Sequence, residues 1–190
     1  MVLALIVFAM GIQLIYKIIN SSTDMIVDID SQTKNKILDV LVSSGSAVAM
    51  PYNKKDIPKG EHDVFAIGIR NEHESAKCFK LTVTCIKAFR FDDEKSTICD
   101  VSQSGMDCEG KTCDEWWMNR GTNYVISKKK SIVEGIFMSV PKKDSSDVEV
   151  EKGQYIFTLN VDAYQDEQCQ QVADPQTMDN PKKFYVNVRR

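Results

Sequence analysis

Hydrophobic positions along the chain change their period twice. From Val2 to Ile19 the residues are apolar all round, broken only by Gly11, Gln13 and Lys17, the pattern of a helix buried on every side and short for a bilayer span. From Met25 the apolar residues Ile26, Ile29, Ile37, Val40 and Leu41 recur at spacings of three and four, with Asp28, Asp30, Lys34, Lys36 and Asp39 between them, which predicts a helix with one apolar stripe. That stripe needs a cover, and the domain that follows is the nearest candidate. Ser43-Ser44-Gly45-Ser46 supplies a stop, so the pattern predicts one continuous helix over residues 2–42, roughly 60 Å long at about 1.5 Å per residue.

After Pro51 the period becomes two, with turn signals at Pro58-Lys59-Gly60, Asn71-Glu72-His73, Gly121, Pro141 and Lys152-Gly153. Phe65, Ile67 and Ile69 share one face of Asp63–Arg70, and Phe79, Leu81, Val83, Cys85, Phe89 and Phe91 share one face of Cys78–Phe91. Tyr155, Phe157, Leu159, Val161 and Ala163 repeat the alternation, as do Phe184, Val186 and Val188. With Ala47–Met50, Tyr124–Ile126 and Ile132–Val140 these make about seven strands. The chain therefore reads as α+β: a long N-terminal hydrophobic α-helix followed by an immunoglobulin-like antiparallel β-sandwich. Its expected division is an N-terminal helix over 1–45, with a hydrophobic half at 2–19 and an amphipathic half at 20–43, and a β-domain over 46–190. The interval 92–120 holds little alternation and reads as a cysteine-rich loop, and 165–181 as a second loop carrying Cys169.

Six cysteines, Cys78, Cys85, Cys99, Cys108, Cys113 and Cys169, all follow the helix. An even count there points to disulfides, and six cysteines permit fifteen pairings that sequence does not choose among. Zinc is the competing use, but no Cys-x-x-Cys pair is present and His62 and His73 fall in distant turns. Cys85 lies on the inward face of its strand, where a buried bridge fits, and Cys169 is placed to tie its loop either to the first loop or to the sheet. The net charge of −3 in 190 residues leaves no electrostatic footprint for nucleic acid. Neither histidine has a nucleophile beside it, and nucleotide-binding, metalloprotease and hydrolase motifs are absent, so no enzyme activity, cofactor or small-molecule substrate is expected. Asp92-Asp93-Glu94 and the Asp144, Asp147, Glu149 group offer oxygen ligands suited to calcium, but such clusters are ordinarily solvated loops. Trp116 and Trp117 read either as a plug of the loop onto the sheets or as an exposed contact. The sequon Asn20-Ser21-Ser22 falls inside the predicted helix and is expected to stay bare.

The run Leu5-Ile6-Val7-Phe8-Ala9-Met10 at the head of a long helix before an all-β domain resembles archaeal type IV pilins and the related archaellins. Ile57-Pro58-Lys59-Gly60, Phe65-Ala66-Ile67-Gly68-Ile69-Arg70-Asn71 and Gly153-Gln154-Tyr155-Ile156-Phe157-Thr158-Leu159 resemble immunoglobulin-like domains of surface proteins. The pilin resemblance implies a structural subunit of an extracellular filament for adhesion or surface attachment, a homopolymer of identical subunits. Such subunits are held in the inner membrane before assembly, after a peptidase removes a basic leader ahead of Met1. Leu3, Leu5, Ile6, Phe8, Ile12, Leu14 and Ile15 would then carry polymerisation. The alternatives are an archaellin for motility and a single-pass membrane-anchored surface protein with an immunoglobulin-like binding domain, similar to the archaellum stator. Lys17 within the apolar run, and the absence of an acidic residue before Asp24, separate the chain from bacterial pilins.

Overall fold

The structure, a computed structural model, describes residues 29–92, 94–102, 108, 113–144, 147–165, 169 and 176–189. The first element among the described residues is helix α1 (Ser31–Ser44), 14 residues long. Asp30 starts it, with extended backbone and a side chain that accepts a hydrogen bond from the Thr33 N–H at 2.9 Å, so one of the unpaired N–H groups of the first turn is satisfied. Gly45 ends it at φ 64°, a left-handed conformation that glycine adopts without a steric penalty.

Among the described residues ten strands follow: β1 (Val48–Ala49), β2 (Lys54–Asp56), β3 (His62–Arg70), β4 (Lys77–Arg90), β5 (Thr97–Asp100), β6 (Asn123–Ile126), β7 (Ser131–Ser139), β8 (Gly153–Tyr164), β9 (Gln176–Thr177) and β10 (Lys182–Val188). The smaller sheet runs β1-β3-β7, and the larger runs β2-β10-β8-β4-β5, with β6 added to β4 and β9 to β8. Most pairings are antiparallel, but β2 runs parallel to β10, with Lys54 opposite Tyr185.

One core lies between the sheets. Phe65, Ile67 and Ile69 of β3 join Phe79, Leu81 and Val83 of β4, Phe157 and Leu159 of β8, and Phe184 and Val186 of β10. The rings of Phe65 and Phe184 meet across it at 4.7 Å, and Phe184 stacks on Phe157 at 5.1 Å. Each fully buried phenylalanine here contributes about 1.5–3 kcal/mol of burial free energy. A second, smaller cluster forms on the other face of β3, where Ile29, Ile37 and Leu41 pack on Ala49 and Ala66. That contact covers the apolar stripe of α1.

Several expectations are corrected here. The continuous helix over 2–42 is overturned by the Asp30 cap, because a residue with ψ 151° is outside helical geometry. Among the described residues no helix is long and apolar enough to cross a membrane. The hydrophobic segment 2–19, with Leu3, Leu5, Ile6, Phe8, Ile12, Leu14 and Ile15, lies outside the described residues, as does the sequon at Asn20. The immunoglobulin-like antiparallel sandwich is corrected to two open sheets. Each ends in strands with a strand neighbour on one side alone, β1 and β7 in one and β2 and β5 in the other, and the larger sheet includes a parallel pair.

The periodicity missed β2, β5 and β9, which are two to four residues long and too short to show alternation. It also placed Phe89 and Phe91 on the inward face, and a β-bulge overturns that. Cys85 pairs with Phe157 and Lys87 with Ile156, so one residue of β4 is extra, and an extra residue exchanges the two faces of a strand. Ala88 turns inward and is fully buried, whereas Phe91 is 52% exposed.

Candidate binding surface

The residues turned out by the bulge line one end of the larger sheet. Beyond it, Phe89 is half-buried on the outer face, with the Lys87 ammonium 4.9 Å from its ring centre. Gly153 of β8 lets β4 pass closely at this point, since a Cβ there would lie 2.2 Å from the Phe89 carbonyl oxygen. On the opposite edge of β4 the pairing with β5 also skips, between Ala88 and Phe89. Both ladders are thus irregular where the aromatic pair emerges.

Two adjoining depressions meet at Arg90 and Phe91. One, of about 670 Å³, is lined by Arg90, Phe91, Asp92, Glu151, Lys152 and Arg189. The other, of about 450 Å³, is lined by Lys54, Phe89, Arg90, Phe91, Lys95 and Gln154. Because Lys54 belongs to β2, Gln154 to β8 and Phe89 to β4, the groove crosses the strands rather than following one.

Its charges are unevenly committed. Arg90 holds the Glu151 carboxylate through Nε and Nη2, the latter at 2.9 Å, and donates from Nη1 to the Ser96 hydroxyl at 3.2 Å. The Glu151 carboxylate raises the Arg90 pKa above its ordinary value. Asp92 accepts from the Ser96 hydroxyl and from the Ser96 N–H at 2.8 Å, and these bonds hold its pKa below the usual carboxylate value. Arg189 reaches Asp56 at 3.3 Å. Among the described residues, Lys54, Lys95 and Lys152 have no carboxylate within ion-pair distance. The charged residues lining the groove are five cations and two acids, an excess of positive charge although the chain carries −3.

The other singled-out residues lie elsewhere. All six cysteines are in disulfides: Cys78–Cys169, Cys85–Cys113 and Cys99–Cys108. Cys169 therefore ties its loop to the sheet. Trp116 and Trp117 are buried at 1% and 9% exposure, which removes the exposed-contact reading. Trp116 lies 4.5 Å from Tyr155 between ring centres, and Trp117 donates from Nε1 to Asn119 at 2.8 Å. His62 opens β3 and stacks on Phe137, and His73 sits in the turn after β3 with its N–H on Asn71, so the two histidines do not converge. Of the acidic groups, Glu149 is held by Lys59 and Asp147 by Lys143, and Asp93 lies outside the described residues.

No protein-family model matches the chain, and no curated protein sequence does. Among solved structures it is similar to PapD-like domain 7, an ASH domain, of human CEP192, at 8% identity and a TM-score of 0.46 over 76% of this chain and 86% of that one. It is also similar to a family 123 glycoside hydrolase from Clostridium perfringens, at 11% identity and TM-score 0.39, covering 72% of this chain and 23% of the hydrolase. A third likeness is to the class 5 fimbriae chaperone CfaA, at 8% and 0.34, covering 73% and 54%. The short capped helix, with no helix among the described residues long and apolar enough to cross a membrane, corrects the pilin resemblance and what hung on it: the self-polymerising filament, the membrane-held precursor and the extracellular filament location.

Proposed function

We propose that this chain is a non-catalytic interaction domain whose groove at Phe89 and Phe91 receives an acidic, extended segment of a partner protein. The observation that carries this reading is Phe91, 52% exposed and flanked by Arg90 and by Lys54, Lys95 and Lys152, which have no ion-pair partner among the described residues. Large apolar side chains left open beside unpaired charge mark places where a partner supplies the missing contacts.

A peptide suits the groove better than a sugar. Sugar hydroxyls need acceptors, yet the Asp92 and Glu151 carboxylates are engaged by Ser96 and Arg90. What remains is ring surface and cations, the complement of apolar side chains interspersed with carboxylates. The separation of His62, which opens β3, from His73, in the turn beyond its far end, supports a binding role over a catalytic one. Fluorescence anisotropy with a labelled peptide alternating Glu and Leu tests it. Binding that weakens with salt and is not matched by a Lys–Leu peptide is expected; preference for an acidic polysaccharide over the peptide would replace the protein partner with a glycan.

A further inference from the structure

The sulfurs of Cys85, Cys99, Cys108 and Cys113 all lie within 4.8 Å of one another, and each residue is at most 1% exposed. They come from four separate places: the bulge end of β4, the middle of β5, the loop after it, and the short 3-10 turn Cys113–Trp116. In the folded chain they are paired as two disulfides side by side. We propose that in the reduced protein these four sulfurs form a buried tetrahedral zinc site, an alternative to the two disulfides on the same residues.

Geometry supports it. Zinc–thiolate bonds of about 2.3 Å put the four sulfurs of a tetrahedral site roughly 3.8 Å apart. A cluster already confined to 4.8 Å reaches that arrangement by sulfur shifts on the order of 1 Å, within the reach of side-chain rotation. Cys78 and Cys169 are not part of the cluster.

The exchange balances with a two-electron thiol reductant. Two equivalents of a dithiol cleave the two S–S bonds, giving four protein thiols and two oxidised dithiols. Zn²⁺ then binds the four sulfurs as thiolates and releases four protons, leaving a site of net charge −2. Metal uptake is therefore coupled to proton release.

The test is anaerobic reduction of the full chain with a dithiol, removal of the reductant, and addition of Zn²⁺ or of Co²⁺ as a spectroscopic probe. The expected result is one metal ion per chain and the intense visible bands of tetrahedral cobalt thiolate. Cys99→Ser and Cys113→Ser should each lose that spectrum and weaken metal binding at least tenfold, while the double variant Cys78→Ser, Cys169→Ser retains both. A reduced chain that takes up no metal, folded or not, would overturn the proposal. So would metal binding that Cys99→Ser leaves intact.

Discussion

Gly68 of β3 and Ile37 of α1 meet with no room for a side chain between them. A Cβ on Gly68 would lie 2.3 Å from Ile37 Cγ2 and 2.8 Å from Leu41 Cδ1. Both helix residues are fully buried, so neither swings aside without lifting α1 from the sheet. Gly68→Ala is expected to cost about 1–3 kcal/mol through overpacking, measured as a lower urea midpoint. An unchanged midpoint would mean that α1 is not firmly seated.

Asn119 closes the open edge of β7. Its Oδ1 accepts from the Phe137 N–H at 3.0 Å and from Trp117 Nε1 at 2.8 Å, and its Nδ2 donates to the Gly135 carbonyl at 2.7 Å. One side chain thus occupies backbone groups that a neighbouring strand would otherwise take. Asn119→Leu is expected to lose about 2–4 kcal/mol by leaving these groups unpaired, and to self-associate with rising concentration in size-exclusion chromatography. A stable monomeric variant would show that the edge needs no such guard.

Asp100 is buried, forms an ion pair with Lys87 at 2.5 Å, and accepts from the Ser102 hydroxyl and N–H at 2.6 and 3.0 Å. The Lys87 ammonium, and then Ser102, lower its pKa from 3.8 to about 2. The unfolded chain therefore binds a proton here before the folded chain does, so the contribution of Asp100 is fully present above about pH 4 and lost as pH falls toward 2. The stability gap between the native chain and Asp100→Asn should close across that window in acid titrations followed by circular dichroism. A gap independent of pH would place the value of Asp100 in its hydrogen bonds rather than its charge.

The three disulfides close loops of very different length, with sequence separations of 91, 28 and 9 residues. Chain-entropy reasoning ranks their contributions at about 4.5, 3.5 and 2.5 kcal/mol respectively. Paired Cys→Ala variants should follow that order in denaturant unfolding. Equal losses would shift the weight to packing around the buried sulfurs.

These features differ in how far the chain alone discloses them. The β3 and β8 cores were legible, because Phe65, Ile67 and Ile69, and Tyr155 through Ala163, alternate without interruption and face one continuous core. The end of β4 was not: its bulge adds one residue, and strict alternation carried past Cys85 put Phe89 and Phe91 on the wrong face. The candidate groove was therefore hidden by the same irregularity that creates it. The start of α1 was misread because Asp30 fits both the polar face of a longer helix and a cap, and only its backbone conformation decides between them. Zinc-ligand spacing was equally uninformative, since four sulfurs from β4, β5, a loop and a turn converge through sheet topology rather than through a short motif.

The central claim rests on the aromatic and cationic groove, and titrating the acidic peptide against the native chain, Phe91→Ser and Lys95→Glu tests it most directly. Phe91 is exposed and Lys95 lies in the exposed turn before β5, so both variants should keep the native unfolding midpoint. The account predicts that each weakens binding by about tenfold or more, about 1.4 kcal/mol, and that Lys95→Glu also flattens the salt dependence. Peptide affinity equal to native in both variants, with the fold intact, would contradict it.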